Sequence, residues 1–217
     1  MTCLKKRHQS RDKRILVIII ATIVMSLIGV SCREEHVAPI NQLVKDLFCF
    51  KKGSEWTYYD SISQTTQKMI ITKYETLKFG GGKSKRGKIY DFAEDIEMEF
   101  TVENTSQLLS VKGSTWLKAD IGHENTLNGM YISTPIIDNT LRCTEFSLSC
   151  DENNNFHPSV TYLSTYMVNE ITYSDIYVFN KDHITYYVSK HIGFIRCVYS
   201  ESGYRIDLVL IDKNVKQ

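Results

Sequence analysis

Helical periodicity is scarce in this chain of 217 residues. Beyond residue 46 no stretch keeps a 3.6-residue apolar period long enough for an ordinary helix, which argues against a helical fold. A surplus of one charge is missing too: 26 Lys plus Arg stand against 25 Asp plus Glu, so a general nucleic-acid binder, with its basic face, is excluded. Apolar runs are confined to one place near the start, which rules out a polytopic membrane protein. No fixed-period repeat is present, so propellers and solenoids are excluded. Cys-x-x-Cys, His-Glu-x-x-His and Gly-x-Ser-x-Gly do not occur, which removes the commonest zinc sites and the nucleophile elbow. At 42% hydrophobic and 24% charged residues the chain is neither disordered nor collagen-like.

The near-neutral total conceals two unlike parts. Residues 1–31 carry six basic groups (Lys5, Lys6, Arg7, Arg11, Lys13, Arg14) and one acid (Asp12), leaving 20 basic and 24 acidic residues in the rest. Behind the basic stretch comes the uncharged run Ile15 to Val30, then Ser31 and Cys32, then Arg33-Glu34-Glu35. Basic, apolar, small is the order of an export signal. With a cysteine at the end of the apolar run, it resembles a bacterial lipoprotein signal, although Gly29 stands where that pattern usually has an aliphatic residue. The resemblance implies that Cys32 is acylated and becomes the new N-terminus, and that palmitate-type chains hold the protein on the outer membrane of a Gram-negative envelope, on its periplasmic or surface side. Several tens of buried CH₂ groups at about 0.8 kcal/mol each would make such anchoring permanent. An uncleaved anchor helix is the alternative. Expected boundaries are a signal at 1–31, a lipid-anchored tether at 32–46 and one domain at 47–217.

Within that domain period two dominates. Asp95 to Glu103 is the clearest strand, with Ile96, Met98, Phe100 and Val102 on one face and Asp95, Glu97, Glu99, Thr101 and Glu103 on the other. Glu55 to Asp60, Lys68 to Lys78, Leu108 to Lys112, Trp116 to Ile121 and Met130 to Thr134 are further strands. Five more follow with short connections from Val160 to Asp212, which demands antiparallel neighbours. The expected fold is all-β, a single antiparallel meander of about ten strands curled into a barrel or a two-layer sandwich. All 24 aromatics lie beyond residue 31, where their bulk suits pleated surfaces.

Two segments, Phe50-Lys51-Lys52-Gly53-Ser54-Glu55-Trp56-Thr57-Tyr58-Tyr59-Asp60-Ser61 and Tyr186-Tyr187-Val188-Ser189-Lys190-His191-Ile192-Gly193-Phe194-Ile195, resemble the opening strand and closing hairpins of uncharacterised Bacteroidota lipoproteins. There the position of His191 is often Gly. The resemblance implies location and β architecture and carries over no catalytic residue.

Candidate chemistry is sparse. Four cysteines remain beyond Cys32, and Cys143 with Cys150 are the first candidates for a local disulfide, leaving Cys49 and Cys197 as a second pair; buried free thiols are the alternative. Gly82-Lys83-Ser84 lacks the preceding glycine and the following helix of a phosphate loop. Lys83, Lys85, Arg86 and Lys88, among glycines, are candidates for polyanion contact or simply a solvated hairpin tip. The acids from Asp95 to Glu103 read as a solvated face, although carboxylates about 7 Å apart on one strand would suit inverting glycoside hydrolysis. Histidines 36, 123, 157, 183 and 191 read as surface residues. No cofactor, metal or catalytic residue is expected. The favoured function is a non-enzymatic binding or structural module for a small apolar ligand or lipid. Alternatives are a protein-interaction module with a filled core and a carbohydrate-active enzyme. A cavity above about 300 Å³ would mark the first.

Overall fold

The computed structural model describes residues 36–80, 92–104, 109–119, 128–137, 143–151, 154–157, 160–201 and 203–217. Residues 1–35, Cys32 among them, and the basic cluster Lys83, Lys85, Arg86 and Lys88 lie outside the described residues. The elements are β1 (Val37–Ala38), α1 (Gln42–Phe48), β2 (Glu55–Asp60), β3 (Thr65–Gly80), β4 (Phe92–Asn104), β5 (Leu109–Ala119), β6 (Asn128–Ile137), β7 (Cys143–Cys150), β8 (Phe156–His157), β9 (Thr161–Val168), β10 (Ile171–Lys181), β11 (Ile184–Ser189), β12 (Gly193–Glu201) and β13 (Tyr204–Asn214). The fold is all-β.

The strands form one sheet in the order β8-β7-β6-β5-β4-β3-β2-β13-β12-β11-β10-β9, with β1 parallel to β4 and off that path. Neighbours along the path are antiparallel, so the meander is continuous except that β2 sits between β3 and the last strand, β13. At one end of this order Phe156 of β8 packs edge-on against Tyr177 and Phe179 of β10, with ring centroids 6.0 and 5.4 Å apart. The sheet therefore curls until its ends approach. Among the described residues no ladder joins β8 to β9, so the curl stops short of a closed barrel.

Three local expectations change. Gly113 and Ser114 do not break the chain into two strands: they pair with Phe100 and Glu99 inside the continuous β5. Ladder bonds from β4 outweigh the weak strand preference of a single glycine. Secondly, β7 occupies the stretch read as a disulfide loop. Cys143 and Cys150 stand at opposite ends of this strand, which holds their Cα atoms roughly 23 Å apart, whereas a disulfide needs less than about 7 Å. The local bridge is thus excluded, and Cys49 and Cys197 are free thiols rather than a second pair.

The third change concerns residues 36–46, expected as tether. Val37–Ala38 pair with β4, and α1 buries Val44, Leu47 and Phe48 in the core. Asn41 caps α1 by accepting from the Leu43 N–H at 2.8 Å, the usual role of Asn at that position. Lys45 Nζ pairs with Glu94 at 2.6 Å and Asp46 with Lys190 Nζ at 3.1 Å. Burying each large apolar side chain is worth about 1.5–3 kcal/mol, more than seven helical residues supply by themselves. One compact unit spans His36–Gln217.

The two lipoprotein-like segments meet in space. Trp56 Nε1 donates to the Ile192 carbonyl at 2.6 Å, and the Tyr58 hydroxyl donates to the Phe194 carbonyl at 3.1 Å. Between them Gly193 has φ +89°, and a Cβ there would lie 3.1 Å from the Phe50 ring. His191 also adopts a left-handed φ of +62°, which explains why a glycine would suit that position.

Candidate functional site

The outer faces of β3, β4 and β5 form a surface with three cross-strand rows. Leu77 pairs with Asp95 and Asp95 with Lys118; Glu75 pairs with Glu97 and Glu97 with Trp116; Lys73 pairs with Glu99 and Glu99 with Ser114. The inward residues between them, Ile96, Met98 and Leu117, are buried. Strand alternation thus places a tryptophan and a leucine on the face that also carries the acids.

Lys73 gathers the carboxylates. Its Nζ lies 3.0 Å from Glu75, 3.4 Å from Glu97 and 3.5 Å from Glu99. Its hydrogen bond to Glu75 is the main cause that raises its ammonium above the ordinary lysine value. A bulge in β3 between Ile71 and Lys73 lets the Thr72 hydroxyl donate to the Glu99 carbonyl at 3.2 Å. Here the surface sinks into an open groove of about 760 Å³, lined by Thr72, Lys73, Glu97, Glu99, Lys112 and Ser114, with Phe100 beneath.

Beside the groove the surface turns apolar. Trp116 is 46% exposed, Phe79 47% and Leu77 39%, and the Lys118 ammonium lies 5.5 Å from the centre of the Phe79 ring. The Trp116 indole N–H donates to Asp95 Oδ1. Asp95 itself is 0% exposed, and its Oδ2 has no hydrogen-bond partner among the described residues. Loss of water pushes its carboxyl above the usual aspartate value; the Trp116 N–H and Lys118 act the other way, while Glu97 adds to the rise. This corrects the reading of Asp95 to Glu103 as a uniformly solvated face.

Among the described residues the core beneath α1 leaves little space. Beneath α1 the apolar space between Phe48, Phe50, Trp56, Met98, Phe100 and Phe194 has a volume of about 20 Å³, room for one water at most. Cys197 is wholly buried and its thiol is held well above the ordinary value by burial, which makes it inert. Cys49 is half-buried, its sulfur 3.6 Å from the Tyr74 hydroxyl. His183 and His191 are exposed beyond the two ends of β11, and no group of metal-ligating side chains occurs among the described residues. The acids do not form a hydrolytic pair: Glu97 and Glu99 share Lys73, and Asp95 cannot touch a substrate in its buried position.

Sequence reasoning missed Trp116 and Asp95 as a pair. A signal was available, since in the strand Trp116 to Ile121 the tryptophan shares its face with Lys118 and Asp120, opposite Leu117, Ala119 and Ile121.

No protein-family profile matches this chain, and no curated protein does. Among solved structures, a "putative lipoprotein" from Parabacteroides distasonis is similar, with 14% sequence identity and a TM-score of 0.36 over 77% of this chain and 97% of that one. So distant a likeness carries nothing further to this chain.

Proposed function

We propose that the chain is a lipid-anchored, non-enzymatic module of the cell envelope that binds its partner through the outer face of its sheet. The observation that carries this reading is the contrast between core and surface: among the described residues the core space beneath α1, about 20 Å³, cannot hold even a small apolar ligand, for which about 300 Å³ is the usual minimum, whereas the β3–β5 face displays Leu77, Phe79 and Trp116 beside an open groove. The anchor follows from the basic, apolar, small-residue order that ends at Cys32. Trp56 is buried while Trp116 stands outside with Leu77 and Phe79, the arrangement of a scaffold that displays a surface.

Native mass spectrometry of the full chain in mild detergent tests the choice between interior and surface. The chain is expected to carry no non-covalent apolar cargo; a stoichiometric lipid that survives detergent exchange and is lost on enlarging Gly193 to Leu would place the ligand inside and refute surface binding.

A further inference from the structure

We infer that the Trp116 platform and the adjoining groove form a binding site for a neutral saccharide. The inference rests on the surface-binding reading and names its ligand class. Three observations converge. First, Trp116 is a half-exposed ring whose orientation is fixed by its hydrogen bond to Asp95. A ring held in one pose forfeits little conformational entropy when a ligand stacks on it.

Second, the fixing group is expensive. Asp95 is fully buried on the solvent side of the sheet, with Oδ2 unpartnered among the described residues. Burying a carboxylate without full pairing opposes folding, and an apolar residue of similar size would serve the sheet better. Local choices that conflict with stability tend to mark functional sites. Here the conflict has one visible result, an indole locked on the surface.

Third, the groove beside the ring suits hydroxyls rather than ions. Lys73 and Lys112 balance Glu97 and Glu99 along its walls, and Lys73 already occupies the carboxylates at 3.4 and 3.5 Å. A divalent cation would have to displace that ammonium. A polyanion would meet the glutamates, and an apolar chain would leave all four charges unsolvated. What remains is a ligand with an apolar C–H face for the ring and a rim of hydroxyls that both donate and accept. A pyranose has both. The groove volume of about 760 Å³ is in the range that holds a short oligosaccharide.

The test uses the full chain in detergent and its two tryptophans, of which Trp56 is buried and Trp116 half-exposed. Linear hexasaccharides of glucose, mannose, xylose and N-acetylglucosamine serve as probes. At least one is expected to shift the emission to shorter wavelength and to shield Trp116 from iodide. By calorimetry Trp116→Ala should weaken that probe at least about tenfold, Trp116→Phe, which keeps an aromatic face but loses the bond to Asp95 that fixes it, should weaken it less than Trp116→Ala does, and Lys112→Ala should weaken it several-fold. Circular dichroism of each variant confirms folding. If no probe shields Trp116, or if Trp116→Ala and Lys112→Ala both bind as the wild type does, the saccharide assignment is overturned. If a purified envelope protein instead shields Trp116 while the saccharides do not, the ligand class is wrong and surface binding stands. A cargo found inside the core would remove both readings.

Discussion

Gly193 and His191 share a turn and a left-handed backbone, yet they differ in what surrounds them. At Gly193 a Cβ would meet Phe50 at 3.1 Å as well as adopt φ +89°, so Gly193→Ala should cost about 1–3 kcal/mol, read from urea denaturation. His191, at φ +62°, already tolerates a side chain, and its ring reaches Gln217 at 2.8 Å in the open; His191→Gly should change stability by less than about 1 kcal/mol. Asp95 gives a pH signature. Its carboxyl binds protons more tightly in the folded chain than in the unfolded one, so its contribution is fully favourable below the ordinary aspartate value near 4 and is lost as pH rises through the folded value. Asp95→Asn should therefore gain stability relative to wild type as the pH rises above about 4. A pH series of denaturation curves in which the difference stays flat would show that Asp95 is solvated.

Elements show where sequence patterns suffice. β4 was legible because Ile96, Met98, Phe100 and Val102 alternate without a lapse, and all four are buried. The strands from β9 to β13 were legible because short connections leave antiparallel pairing as the only option. α1 was not legible: seven residues make two turns, too few to establish a period, and the helix exists because Val44, Leu47 and Phe48 find a core to enter. Val44→Ala should consequently cost about 1–3 kcal/mol in thermal or chemical unfolding, whereas a residue in a solvated tether would cost nothing measurable. β7 was hidden by its two cysteines, which suggested a bridge where a strand runs. Peptide mapping without reductant should recover no disulfide joining Cys143 to Cys150. β9 is a charge-free edge with Met167 68% and Tyr162 53% exposed, so Met167→Lys should reduce aggregation of concentrated protein seen by light scattering.

Over the whole molecule, the placement of β2 between β3 and β13 could not be read from local pattern, because it depends on contacts between residues about 150 positions apart. The resembling segments at the two ends of the domain did foreshadow it, since Trp56 and Tyr58 donate directly to the closing turn. Candidate-site residues were less legible than the fold: Trp116 was seen as a strand residue, but its bond to Asp95 joins two strands whose register the sequence does not reveal. The picture we propose is a β scaffold that displays the Trp116 surface from a lipid anchor at Cys32. Intact-mass analysis of membrane-extracted wild type and Cys32→Ser tests it most directly. The wild-type mass should equal residues 32–217 plus a diacylglyceryl and an acyl group, with neither lipid nor cleavage in Cys32→Ser; a wild-type chain that keeps residues 1–31 and carries no acyl mass would contradict it.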